Sequence, residues 1–199
     1  MKHYKKWFPS FCVALLIILI PLFTLSTKKK TFDTLEEIPD TYTLEDAKKD
    51  GMVVYEDVSI TSGQETWDDF LKKCDKKEEA SVLLAFYYTI GDASHYSKEL
   101  YEELKDEYPM LYIKELSFDG SEYTITWYED EQRITNTYTY LVKYEGQPRS
   151  QTAIFSDYVY YVLVNDNSVT WNDLEDGMLS SQYGAYIDYC KVYSKYTYK

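Results

Sequence analysis

Beyond position 30 the sequence has few residues suited to acid–base or nucleophilic chemistry. His95 is the only histidine there, directly after Ser94 and three positions after Asp92. An imidazole metal site normally uses two or more histidines, and a serine or cysteine nucleophile needs a base within reach. A single histidine beside a Gly-Asp turn meets neither need, so His95 reads as a surface loop residue. The sequence lacks a phosphate-cradling glycine loop, a dinucleotide fingerprint and a G-x-S-x-G elbow. With only seven glycines in 199 residues, such loops are hard to build. No catalytic, cofactor-binding or metal-ligating residue is assigned.

Carboxylates are abundant, with 34 Asp and Glu against 21 Lys and Arg. Glycosidases hold two of them ~5–9.5 Å apart, a separation that spacing along a chain does not reveal. Glu129-Asp130-Glu131 reads as a solvated turn at a strand end. Asp166, Asn167, Ser168 and Asp173 offer oxygen ligands for calcium, the one cofactor weighed, but their spacing is not that of an EF-hand loop. A turn followed by a capped helix explains them more simply.

Two cysteines lie in the body, Cys74 and Cys190. Outside the cell such a pair can form a disulfide, and this one would close a loop of more than 100 residues. Chain entropy gives that closure an upper value of about 4–5 kcal/mol. The competing reading makes both small buried hydrophobes. The 23 tyrosines are the strongest compositional signal. A tyrosine offers a flat apolar face and a hydroxyl, which suits sugar and protein recognition. Tyr138, Tyr140, Tyr144, Tyr158 and Tyr160 are the candidates for an exposed binding surface. Against this stands the ordinary preference of Tyr for half-buried strands.

The elements that must position these residues fall into three segments. In residues 1–30, Lys2, Lys5 and Lys6 precede an uncharged stretch from Trp7 to Thr27, and Lys28, Lys29 and Lys30 close it. About 20 apolar residues are what a helix needs to cross ~30 Å of hydrocarbon. Residues 7–27 therefore read as an uncleaved signal anchor, a single transmembrane helix. Secretion after signal cleavage is the alternative, disfavoured by a poor cleavage site and the three following lysines. Flanking lysines are balanced, so the positive-inside count is a tie. The short N-terminal tail is easily retained, which places the large C-terminal domain outside the membrane. Taking away the six lysines of residues 1–30 leaves 15 basic residues against 34 acidic ones, a net charge of −19. Such a body is soluble, repels nucleic acid and anionic surfaces, and attracts cations or basic partners.

Residues 31–45, acidic and containing Pro39, read as a tether, and residues 46–199 as one extracytoplasmic α+β domain. Strands are expected around residues 53–60, 82–89, 111–118, 122–128, 138–144, 155–164 and 185–193. Thr66 with Asp69 reads as a helix cap ahead of Trp67, Phe70, Leu71 and Cys74, which share one helical face. A helix over residues 97–108 would turn Leu100, Tyr101 and Leu104 inward. Thr170 with Asp173 repeats the capping pattern. The expected fold is α+β: a mostly antiparallel sheet with two or three short helices on one face.

Ala47-Lys48-Lys49-Asp50-Gly51-Met52-Val53-Val54, then Phe70-Leu71, then Tyr88-Thr89-Ile90-Gly91-Asp92, resemble in order and spacing the family called domain of unknown function 4362. These are small exported or membrane-attached proteins of Gram-positive bacteria. The resemblance covers residues 45–95, with Ala93 where that family usually has Pro and residues 96–108 as an insertion. It implies an envelope location and carries no catalytic residues. Together these features point to a membrane-anchored extracytoplasmic protein, a non-catalytic module binding an envelope protein or glycan. An envelope glycan hydrolase using paired carboxylates is the alternative, and a structural or immunity-type protein working through its anchor is a third.

Overall fold

The computed structural model describes residues 34–39, 41–182 and 184–199. The expected anchor at residues 7–27 lies outside the described residues. Among the described residues no helix is long and apolar enough to cross a membrane.

The body is α+β and mostly antiparallel, but it holds two sheets. The first contains β1 (Val53–Glu56), β2 (Ser59–Ser62), β3 (Ala80–Tyr88), β4 (Met110–Phe118), β5 (Tyr123–Glu129) and β6 (Gln132–Tyr138), in the order β2-β1-β3-β4-β5-β6. Only β1 and β3 run parallel. The crossover between them carries α2 (Gln64–Asp75). The expected single strand at 53–60 is a hairpin that turns at Asp57, which takes a left-handed φ of 53°.

Alternation along β1 and β3 explains the layering. Val53, Tyr55, Val82 and Leu84 point into one core, and Val54, Leu83 and Ala85 into another. A sheet apolar on both faces must be covered on both. Trp67, Phe70 and Cys74 of α2 cover the first face. Leu44 and Ala47 of α1 (Leu44–Asp50), with Leu35 from a short 3-10 turn, cover the second. The helices thus lie on both faces, where the sequence reading put them on one. The segment read as an acidic tether supplies part of this cover, because Leu35 and Leu44 interrupt its polar run.

The second sheet is the meander β7 (Tyr140–Gly146), β8 (Phe155–Val164) and β9 (Tyr189–Tyr198). Leu141, Tyr161, Leu163, Cys190 and Tyr193 meet the core around Trp67. Tyr160, Val162 and Val164 face the other way, onto Leu174 and Trp171 of α4 (Trp171–Leu179). Val192 has no partner in β8, because Tyr161 pairs with Tyr193 and Val162 with Lys191. This bulge sends the consecutive residues Val192 and Tyr193 into one core. The chain changes sheets at Thr139, whose N–H and hydroxyl both donate to Asn165 Oδ1, at 3.1 and 3.4 Å. Tyr138 and Tyr140, read as one alternating strand, therefore belong to different sheets. α3 (Lys98–Leu104) has no buried residue, and Leu100, expected inward, is 43% exposed.

Candidate functional site

The residues best placed for recognition sit where the first sheet outruns its core. Tyr55 pairs with Phe86 and Phe86 with Tyr112, so the three side chains stand in one row on one face. Lys114 pairs with Trp127 in the neighbouring row. Toward the core the same face is filled by Leu84, Leu116 and Ile125. Past them it opens, and Tyr88 and Tyr112 are 39% and 48% exposed. The edge strand β9 closes the other side with Lys191, Ser194 and Tyr196. The result is a cleft of about 800 Å³ between the two sheets.

Its floor is fixed by stacking and by one buried hydrogen bond. The Tyr55 and Phe86 rings lie parallel at 4.8 Å, and Tyr55 donates its hydroxyl to the Val192 carbonyl at 3.0 Å. Burial pushes the Tyr55 hydroxyl well above its ordinary pKa, so it stays a neutral donor. Lys114 Nζ sits 4.8 Å from the Trp127 ring centre and 5.8 Å from that of Phe86. Lys191 Nζ sits 4.8 Å from the Tyr160 ring centre. These cation–π contacts hold both ammonium groups against aromatic faces.

The mouth of the cleft is acidic. Asp57 directly follows β1, and Glu129 and Asp130 stand at the end of β5, at the same end of the first sheet. Asp57 Oδ1 accepts from the Thr89 N–H at 2.8 Å, and the Thr89 hydroxyl also donates to it. Asp130 and Glu131 take left-handed φ values of 47° and 63°, forming the tight two-residue hairpin between β5 and β6. The Glu129-Asp130-Glu131 run is thus a turn, and two of its members line the cleft.

No protein-family model, curated protein or solved structure matches this chain. The candidate site accordingly rests on geometry.

The tyrosines singled out from the sequence lie elsewhere. Tyr138 is 2% exposed and its hydroxyl donates to Asp188 Oδ1 at 3.3 Å. Tyr160 is 5% exposed, stacked on Tyr158 at 4.3 Å and packed on Trp171. Tyr144 donates to the Val169 carbonyl at 2.7 Å. Tyr144, Tyr158 and Tyr160 therefore seat α4 rather than form an open surface, because Trp171 covers them. Tyr140 alone of the five is exposed.

Cys74 and Cys190 both pack in or against the core around Trp67, and both are free thiols. Asp166 accepts from the Ser168 N–H and hydroxyl, and Asp173 closes a capping box with Thr170. Both carboxylates of the calcium reading are therefore engaged in local turns. Among the described residues no group of three or more His, Cys, Asp or Glu side chains is placed to hold a metal ion. His95 is exposed in a 3-10 turn capped by Asp92.

Sequence reasoning missed Phe86, Tyr88, Tyr112, Lys114 and Lys191 as site residues. The available signal was same-face aromatics continuing past the aliphatic part of β3 and β4. It becomes legible only once the strands are in register.

Proposed function

We propose that this protein is a membrane-anchored, extracytoplasmic binding module of the cell envelope, and that the aromatic cleft takes an envelope glycan. The anchor is residues 7–27, with the folded body outside the membrane. The cleft carries the functional reading: Trp127, Tyr112 and Tyr88 line a concave site together with hydroxyl, ammonium and carboxylate groups. Sugar rings stack their C–H faces on such rings and hydrogen-bond at the edges. A net charge of −19 beyond residue 30 argues against nucleic acid as the ligand.

Hydrolysis is the second reading, favoured by the carboxylates at the cleft mouth. Asp57 is committed to Thr89, and Glu129 and Asp130 are exposed at a hairpin end. A general acid needs a carboxyl shielded from water so that it keeps its proton. Binding without turnover fits these surroundings better.

The test is co-sedimentation of the full chain, held in mild detergent, with purified Gram-positive cell wall, with and without calcium. Saturable pelleting that Trp127→Ala reduces at least tenfold is the expected result. Pelleting unchanged by Trp127→Ala would move the ligand site away from the cleft. No pelleting would remove wall glycans as ligands, and release of soluble sugar from the wall would favour hydrolysis.

A further inference from the structure

We propose that the outer edge of β6 is a pairing surface for a second copy of this chain, and that two β6 strands join antiparallel about a two-fold axis at Thr135.

The first ground is hydrogen bonding. Asp130 and Glu131 form a two-residue turn, so the flanking residues Glu129 and Gln132 exchange both of their main-chain bonds. The pattern alternates from there. Gln132, Ile134 and Asn136 bond to β5, while Arg133, Thr135 and Thr137 turn their N–H and C=O groups outward. β6 ends its sheet, and among the described residues no main-chain group pairs with those three. Such a row is a template for another strand.

The second ground is how the four sheet edges differ. β2 is four residues long and meets β9, its Ser59 hydroxyl lying 3.2 Å from that of Tyr198. β9 carries the bulge, Lys191 and Lys195. β7 carries the Lys143–Glu145 ion pair. Lysines, bulges and short length are the usual guards against edge pairing. β6 has none of them: seven residues in unbroken register, without Lys, Pro or a carboxylate. Its one charge, Arg133, is paired with Glu36 at 3.2 Å.

The third ground is self-complementarity, which selects the occupant. With Thr135 opposite the partner's Thr135, Arg133 falls opposite the partner's Thr137 and Thr137 opposite the partner's Arg133. All three are outward residues, so this register closes six main-chain hydrogen bonds without setting like charges face to face. The acidic Glu129-Asp130-Glu131 turns go to opposite ends, about 26 Å apart at ~3.3 Å per residue, well past the screening length of ~8 Å. In a body of net charge −19 beyond residue 30, an edge without carboxylates is where two copies can meet. The axis stands perpendicular to the joined sheet, so both aromatic clefts open on one face. On the glycan reading above, one wall polymer then reaches two sites at once.

The experiment weighs the full chain, in mild detergent, by light scattering with the detergent's contribution subtracted. No ligand is present, so the outcome is separate from the glycan reading. The mass should rise with concentration toward twice the 23.6 kDa of one chain. Thr135 is exposed, and on the axis it meets its own copy. Thr135→Lys and Thr135→Glu should therefore each weaken the dimer by about tenfold or more, because like charges then face each other across Cα atoms ~5.5 Å apart. An equimolar mixture of the two variants should restore it. Melting temperatures of the dilute variants close to that of the unaltered chain separate lost pairing from lost fold. A mass of one chain at every concentration would overturn the proposal. A dimer untouched by either substitution would overturn it too, since the contact would lie elsewhere on the chain. Variants that stay monomeric when mixed would do the same.

Discussion

Tyr55 donates its phenolic hydroxyl to the main-chain carbonyl of Val192, 3.0 Å away and 137 positions along the chain. This bond ties the first sheet to the second at the bulge of β9. The bulge frees the Val192 carbonyl from the β8 ladder, and the Tyr55 ring, stacked on Phe86, brings the donor to it. The floor of the cleft is therefore also the joint between the sheets.

Tyr55→Phe keeps the stacked ring and removes only the hydroxyl. A buried carbonyl that loses its donor costs about 1–3 kcal/mol. Urea unfolding should show that loss with the slope unchanged. A change within a few tenths of a kcal/mol would mean that the joint is held by ring packing alone.

The same chemistry sets the alkaline limit of the fold. Tyr42, Tyr55, Tyr123, Tyr138 and Tyr160 all have hydroxyls raised in pKa, first by burial and next, for Tyr138, by the nearby Asp188. A folded-state pKa above the unfolded value near 10 stabilises the fold fully below that pH. The contribution is lost as pH rises through and past it. Ultraviolet titration should show one set of tyrosines ionising near pH 10 and a second only in a cooperative step with loss of tertiary signal. One smooth transition near pH 10, with the fold intact, would contradict this burial.

Gly63 begins α2 with φ of +81°. A Cβ there would lie 2.1 Å from the Met52 carbonyl oxygen, a main-chain atom that cannot swing aside. Left-handed backbone alone costs a non-glycine residue about 1–2 kcal/mol. Gly63→Ala should therefore destabilise by more than about 2 kcal/mol in thermal or urea unfolding. A smaller effect would show that the β2–α2 junction can relax.

This junction also shows how far local pattern reaches. Thr66 with Asp69 looks like a cap, yet the helix starts at Gln64 and Thr66 donates its hydroxyl to the Gly51 carbonyl at 2.7 Å. A close approach between β1 and α2 decided the start, and single-residue propensities do not encode it. The inward face of α2 was legible from the spacing of Trp67, Phe70 and Cys74, as were strands at β3, β4 and β5. The split into two sheets was not legible. Tyr138, Tyr140, Val142 and Tyr144 alternate without a break, and only Asn165, 26 residues on, marks the corner at Thr139. The cleft was hidden for the same reason, since its walls come from strands far apart in sequence.

Where the local pattern was sufficient, it predicts energetics directly. Thr170 accepts from the Asp173 N–H, and Asp173 accepts from the Thr170 N–H at 2.8 Å. The Thr170 hydroxyl and main-chain N–H hold the Asp173 carboxyl below its usual range. The stabilisation is therefore present above the unfolded pKa near 4 and is lost as pH falls through the lowered value. Thr170→Ala should cost about 1 kcal/mol at neutral pH and flatten the acid limb of stability. An unchanged acid limb would show that α4 is held by Leu174 and Trp171 alone.

Cys74 and Cys190 give the last prediction, and it bears on how the two layers are joined. Cys74, on the inward face of α2, is 5% exposed, and burial raises its thiol pKa to about 11. Cys190 is raised chiefly by burial too, with the Lys114 ammonium pulling the other way. A thiol reacts as the thiolate, so a raised pKa and poor access both slow alkylation. In the folded protein at pH 8, iodoacetamide should label Cys74 slowest, Cys190 somewhat faster, and both at once after unfolding in urea without reductant. Peptide mapping by mass spectrometry reads each site separately. If both peptides emerge unlabelled and cross-linked until a reductant is added, the core is stapled by a disulfide. Unfolding with and without reductant would then differ by up to about 4–5 kcal/mol, the chain-entropy limit for so long a loop. With free thiols the two unfolding curves superimpose, and the sheets are joined by packing around Trp67 and by the Tyr55 hydroxyl.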